Sequence, residues 1–195
     1  YEDDFGHAFV LDTLRFLASG AQALAEGDVL LADYSGVYLM VDCGQAGNEL
    51  LLGELTAAYL HEIAFSLGLT PEINHADPAQ ASPPLNDITM HSGSMALGYS
   101  FLHVAGRVDS NADGIIDDSD QRFSHRCIGD QLICPAMAIV HSALPDGGVL
   151  IAPLPIDMEI LLADIDLLNT PSTAGDGDVN WAWMQRLMDA IEQEH

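Results

Sequence analysis

Twelve consecutive residues, Asp109-Ser110-Asn111-Ala112-Asp113-Gly114-Ile115-Ile116-Asp117-Asp118-Ser119-Asp120, place oxygen-bearing side chains at the first, third, fifth, ninth and twelfth positions and glycine at the sixth. That spacing suits a loop wrapped around a hard cation such as Ca²⁺, which takes six to eight oxygen ligands at about 2.3–2.6 Å. Asp109, Asn111 and Asp113 alternate, so their side chains converge as the backbone curls. Ile115 would add its carbonyl, Asp117 would bind directly or through a water, and Asp120 would close the site. Gly114 stands where the turn calls for a positive φ, a conformation glycine adopts without steric penalty. Ile116, apolar within an acidic run, would anchor the loop on the core.

The stretch resembles the calcium loops of EF-hand proteins and, more closely, those of dockerin modules and related secreted bacterial proteins. The resemblance covers about a dozen of the 195 residues. It implies a cation held between two helices, with Ca²⁺ in a structural role. EF-hand loops usually end in a bidentate glutamate, and Asp120 is one methylene shorter. Dockerins carry a second, similar loop that this chain lacks, so the cohesin-binding function does not carry over.

Other reactive residues are weaker signals. His61-Glu62-Ile63-Ala64-Phe65 resembles the zinc helix of metallopeptidases, but Phe65 stands at the second ligand position. One His and one Glu do not make a three-ligand zinc site. Met90, His91, Met95 and His103 could suit a soft metal such as copper, although methionine at helix-face positions more commonly fills cores. Asp176 and Asp178 could hold a second cation, with capping the better assignment. Asp164 and Asp166 would diverge on a helix and make no acid/base couple. No G-x-S-x-G elbow, phosphate loop or dinucleotide fingerprint occurs.

Composition narrows the class. The formal net charge is −25, from 30 acidic and 5 basic residues, all five of them arginine: Arg15, Arg107, Arg122, Arg126 and Arg186. Such a chain is repelled by nucleic-acid phosphate and by anionic membrane surfaces. Apolar residues make up 49%, enough for a packed core in one domain. No apolar run is long enough for a transmembrane helix. The sequence starts at Tyr1 without methionine, and an export signal or lipid anchor in a preceding segment is expected. Cys127 and Cys134, with six residues between them, are expected to form a disulfide at the exit of the acidic loop, in an oxidising compartment.

The elements that must hold the loop read as helical. Phe9, Leu11, Leu14, Phe16, Leu17, Ala21 and Leu24 are mostly at helical spacing, with Gly27 as a stop. Residues 28–43 suit a buried strand or a packed helix. Asn48 would cap a helix over 48–67 that Gly68 ends. Pro71, Pro78, Pro83 and Pro84 make 70–88 a loop. Helices are predicted over 94–108, 117–126, 132–144 (Pro135 in the first turn), 156–168 and from Asp178, the last carrying Trp181, Met184, Leu187, Met188 and Ile191.

The expectation is an all-α fold: six or seven helices, with at most one short strand pair, as a single domain over 1–195. The function expected is that of an exported, calcium-stabilised, non-enzymatic domain binding a partner protein or surface component. One alternative is a small-molecule or apolar-ligand carrier with a pocket lined by Tyr38, Met40, Trp181 and Trp183. Another is a hydrolase whose site has no recognised motif.

Overall fold

The computed structural model describes residues 1–44 and 49–191 and is built on β-structure. Its strands are β1 (Phe9–Ala25), β2 (Val29–Asp42), β3 (Tyr59–Leu67), β4 (Ser100–Val108), β5 (Gln121–Ile128), β6 (Cys134–Ala143) and β7 (Ser172–Gly175). The helices are α1 (Pro71–Asn74), α2 (Met158–Leu162) and α3 (Asp178–Ile191). The all-α expectation is therefore overturned. Four of the predicted helices lie largely on strands, the one over 48–67 is replaced in its second half by β3, and the helix expected over 156–168 shrinks to α2. Asn48, the expected cap, lies outside the described residues.

The sheet runs β6-β3-β1-β4-β5-β7, with β2 also paired to β1. All pairings are antiparallel except β5 with β7. β1 organises the fold. Along one edge its residues 15–25 pair with β2. Along the other edge its first half pairs with β4, and its second half with β3.

The physical reason for the mistaken helix in β1 is burial on both faces. Phe16, Leu17, Ala18 and Ser19 are consecutive, so their side chains alternate between faces, yet all four are buried. A strand covered on both sides loses the in–out alternation, and its alanines and leucines favour a helix locally. In β4 the alternation survives: Leu102, Val104 and Val108 point inward, and His103 and Arg107 outward. Gly106 is required on that strand, because a Cβ there would meet the Val10 carbonyl and the Phe123 ring. Pro135 fits β6 because β6 ends the sheet order, where a missing N–H costs no ladder bond.

The core joins Phe9, Phe16, Phe101, Leu102 and Phe123 of the sheet to one face of α3. That face is Asn180, Trp183, Met184, Leu187 and Ile191, at helical spacing. Asn180 fastens the helix: its Nδ2 donates to the carbonyls of Arg126 (2.9 Å) and Gly175 (2.6 Å). Thr173 Oγ1 donates to Asn180 Oδ1. His125 Nδ1 in turn donates to Thr173 Oγ1 at 2.8 Å, and burial lowers the His125 pKa to about 4.

The expected Cys127–Cys134 disulfide is absent. Cys127 lies on the core face of β5, its thiol donating to the Asn180 carbonyl at 3.5 Å. Cys134 opens β6, a strand that pairs with β3 and not with β5. Burial and the nearby Cys134 push the Cys127 pKa well up, so it is an inert core thiol.

Candidate metal centre in the loop between β4 and β5

The acidic loop joins two hairpin strands rather than two helices. Val108 and Gln121, opposite each other at the end of the β4–β5 ladder, close its base. Asp109 N–H donates to the Ala8 carbonyl at 2.8 Å, tying the loop to the chain leading into β1.

Within the loop each of the expected side-chain ligands accepts hydrogen bonds from the loop's own backbone. Asp109 Oδ2 accepts from Gly114 N at 2.9 Å. Asn111 Oδ1 accepts from Asp113 N (2.9 Å), and Asp113 Oδ1 from Ile115 N (2.8 Å). Asp117 Oδ1 accepts from the backbone and hydroxyl of Ser119, both at 2.7 Å. Asp120 reaches across: Oδ1 accepts from Ser110 N at 3.0 Å and Oδ2 from Asp117 N at 2.9 Å. Gly114 has φ of 79°, the left-handed turn expected of the sixth position.

Two features set this loop apart from an ordinary solvated turn. Asp109 and Asp120 are buried, 8% and 5% exposed, in a chain of charge −25. Asp109 Oδ1 is fully covered and has no hydrogen-bond partner. A buried carboxylate oxygen without a donor is costly, and a bound cation would offset that cost. Hydrogen bonds from Ser119 hold the Asp117 carboxyl below its usual range, and the Asp117 and Ser110 amides do the same for Asp120. These groups stay ionised, as hard-metal ligands must.

Among the described residues, Asp3, His7 and Asp166 are the group whose metal-ligating atoms lie within 4.8 Å of one another; no three carboxylates of the loop are drawn that close. Asp3 is well served already. It accepts from the amides of Phe5 (3.1 Å) and His7 (2.8 Å), and the His7 ring lies 3.1 Å away. This cluster links the N-terminal segment to 164–169 and was invisible in sequence, because 159 positions separate His7 from Asp166.

The four soft-metal candidates differ in their surroundings. Met90 is buried in the core, and Met95 is 53% exposed. His103 sits across from Arg15 on β1 and Arg126 on β5. Burial, then those two guanidiniums, lower its pKa to about 4, so its surroundings disfavour a cation. His91 Nδ1 accepts from Gly93 N at 3.1 Å, which puts its proton on the buried Nε2. His75 was not singled out by the sequence; its Nδ1 donates to the Met95 carbonyl at 2.7 Å, and its Nε2 faces Asp130 at 3.0 Å, which raises its pKa.

The peptidase-like stretch lies on β3, where Glu62 is buried on one face and His61 turns to the other. The proposed ligand pocket also disperses. Trp183 is packed in the core and Trp181 is 36% exposed. A cleft of about 450 Å³ lies instead between α2 and α3, lined by Ile160, Ala163, Asp164, Ala182, Gln185, Arg186 and Asp189.

The family model for MbnP matches residues 1–174. The chain belongs to the MbnP family. In solved structures it is similar to MbnP from Methylosinus trichosporium, at 12% sequence identity and a TM-score of 0.46, with 70% of this chain and 62% of that chain covered. It thus spans less than two thirds of that relative's length. No curated protein matches. MbnP membership replaces the EF-hand and dockerin resemblance, which rested on twelve residues: the loop shares their spacing, and the surrounding fold is not theirs.

Proposed function

We propose that this MbnP-family chain is an extracytoplasmic binding domain whose β4–β5 loop takes a structural Ca²⁺. Asp109 and Asp120 would bind from the buried side, Asn111, Asp113 and Asp117 from the exposed side, and Ile115 through its carbonyl. The observation that carries the metal reading is the buried, unpartnered Asp109 Oδ1 at the first position of a correctly spaced loop. Because Val108 and Gln121 close the loop, an ion there fixes the β4–β5 hairpin and, through the Asp109–Ala8 bond, the start of β1.

Family membership supports a binding role outside the cytoplasm. Among the described residues no helix is long and apolar enough to cross a membrane. The exposed side chains of Ile88, Met95 and Leu97, close together in sequence before β4, suit contact with a partner protein or surface component. Calcium's job in this reading is stability. The chain is melted in EDTA and then at rising Ca²⁺. At a hundredfold excess over Kd, ligation adds about 2.7 kcal/mol, or about 5–10 °C in Tm for a chain of this size. A flat Tm up to millimolar Ca²⁺ ends the proposal.

A further inference from the structure

His61 and His141 stack on each other across β3 and β6, with ring centroids 4.2 Å apart and planes inclined by 29°. They are 80 residues apart in sequence, and only the β3–β6 pairing joins them. The pairing is irregular at this point: Leu60 opposes Ser142, and Glu62 opposes Ile139. One residue of β3, His61, therefore faces two of β6, Val140 and His141, which defines a β-bulge.

His141 has φ of 46°, a left-handed conformation that a non-glycine residue adopts at a cost. Glycine would fit that bulge without strain, yet a histidine occupies it. The bulge turns the imidazole onto its neighbour. His141 is exposed and His61 is half-buried, so solvent reaches the pair at the end of the sheet order.

We propose that His61 and His141 form a two-imidazole clip for a divalent d-block ion of the zinc or nickel class. Imidazole nitrogen is the preferred donor for such ions, at about 2.0–2.1 Å for zinc. The inclined planes bring the rings closer along one edge, where a small side-chain rotation lets one nitrogen from each meet a shared ion. Waters complete the coordination. Imidazole nitrogen is a poor ligand for Ca²⁺, a hard cation that takes oxygen, so the clip discriminates against it. The clip is separate from the β4–β5 loop in place and in ligand type, and it rests on neither calcium nor the partner.

The test is titration of the full chain with NiCl₂ and with ZnCl₂ in the presence of millimolar Ca²⁺, read by calorimetry and by the histidine ring signals in NMR. One ion is expected to perturb the His61 and His141 rings together. His61→Ala and His141→Ala are each expected to weaken that event by about tenfold or more, a scale at which even outer-shell partners of a metal act. His141→Gly keeps the left-handed backbone and removes the ring, so it must weaken binding equally. Any of three results overturns the clip: no ring perturbation by either metal, wild-type affinity in either alanine variant, or wild-type affinity in His141→Gly. All three substitutions are at accessible positions, and melting curves confirm that each variant is folded before titration.

Discussion

At the residue scale, the proposed calcium site rests on the buried oxygen of Asp109. Asp109→Asn keeps the size of the side chain and its bond to the Gly114 amide but removes the charge that a cation needs. The variant is expected to lose most of the calcium-dependent rise in Tm while melting in EDTA close to wild type. A full calcium response in Asp109→Asn would remove Asp109 from the ligand set.

His125 governs acid stability at the same scale. Its folded pKa of about 4 lies below the ordinary histidine value of 6.5, so the unfolded chain binds this proton more readily than the folded one. Above pH 6.5 the group costs nothing. As pH falls from 6.5 towards 4 the unfolded state is progressively favoured, and below 4 the loss is complete. His103, lowered likewise to about 4, adds in the same direction. Denaturant melts between pH 7 and pH 4 should show stability falling across this window, and His125→Gln should flatten part of the slope. An unchanged slope in that variant would show that carboxylates elsewhere control the response.

At the scale of elements, α3 is attached by polar bonds as well as by its apolar face. Asn180 occupies two backbone carbonyls, from Arg126 on β5 and Gly175 on β7, and receives the Thr173 hydroxyl. Asn180→Ala leaves these buried groups without partners, at about 1–3 kcal/mol for a buried unsatisfied group. Urea melts should show that loss, with amide exchange fastest at the start of α3. Stability within about 0.5 kcal/mol of wild type would show that the apolar face of α3 suffices by itself.

The elements also show what could be read in advance. α3 was legible because its apolar residues lie on one stripe with a polar opposite face. The twelve-residue loop was legible because ligand spacing is local. β5 carried a clear period of two, with Phe123, His125 and Cys127 inward, but it is short and follows the acidic loop, where the EF-hand resemblance calls for a helix. β1 carried no such period, since its neighbours cover both faces.

For the whole molecule, charge is the dominant condition. With −25 net charge, the folded state repels itself, and salt screens that repulsion. Raising NaCl at constant EDTA should raise Tm gradually for wild type and for Asp109→Asn alike. Calcium at matched ionic strength should then add a further increment in wild type alone. If NaCl reproduced the whole calcium effect, the ion would be acting as a screen and not as a ligand.

From sequence alone came whatever depends on neighbours in the chain or on totals: the spacing of the acidic loop, the turn at Gly114, the final amphipathic helix, and a net charge of −25. Tertiary structure decided whatever depends on distant partners. It turned an alanine- and leucine-rich stretch into the central strand, because β2, β3 and β4 complete its hydrogen bonds and other elements cover its faces. It set the acidic loop on a hairpin instead of between helices, left Cys127 and Cys134 unbridged, and laid His61 against His141. Pairing across a sheet is a long-range choice, settled by which surfaces bury one another, and local preference yields to it.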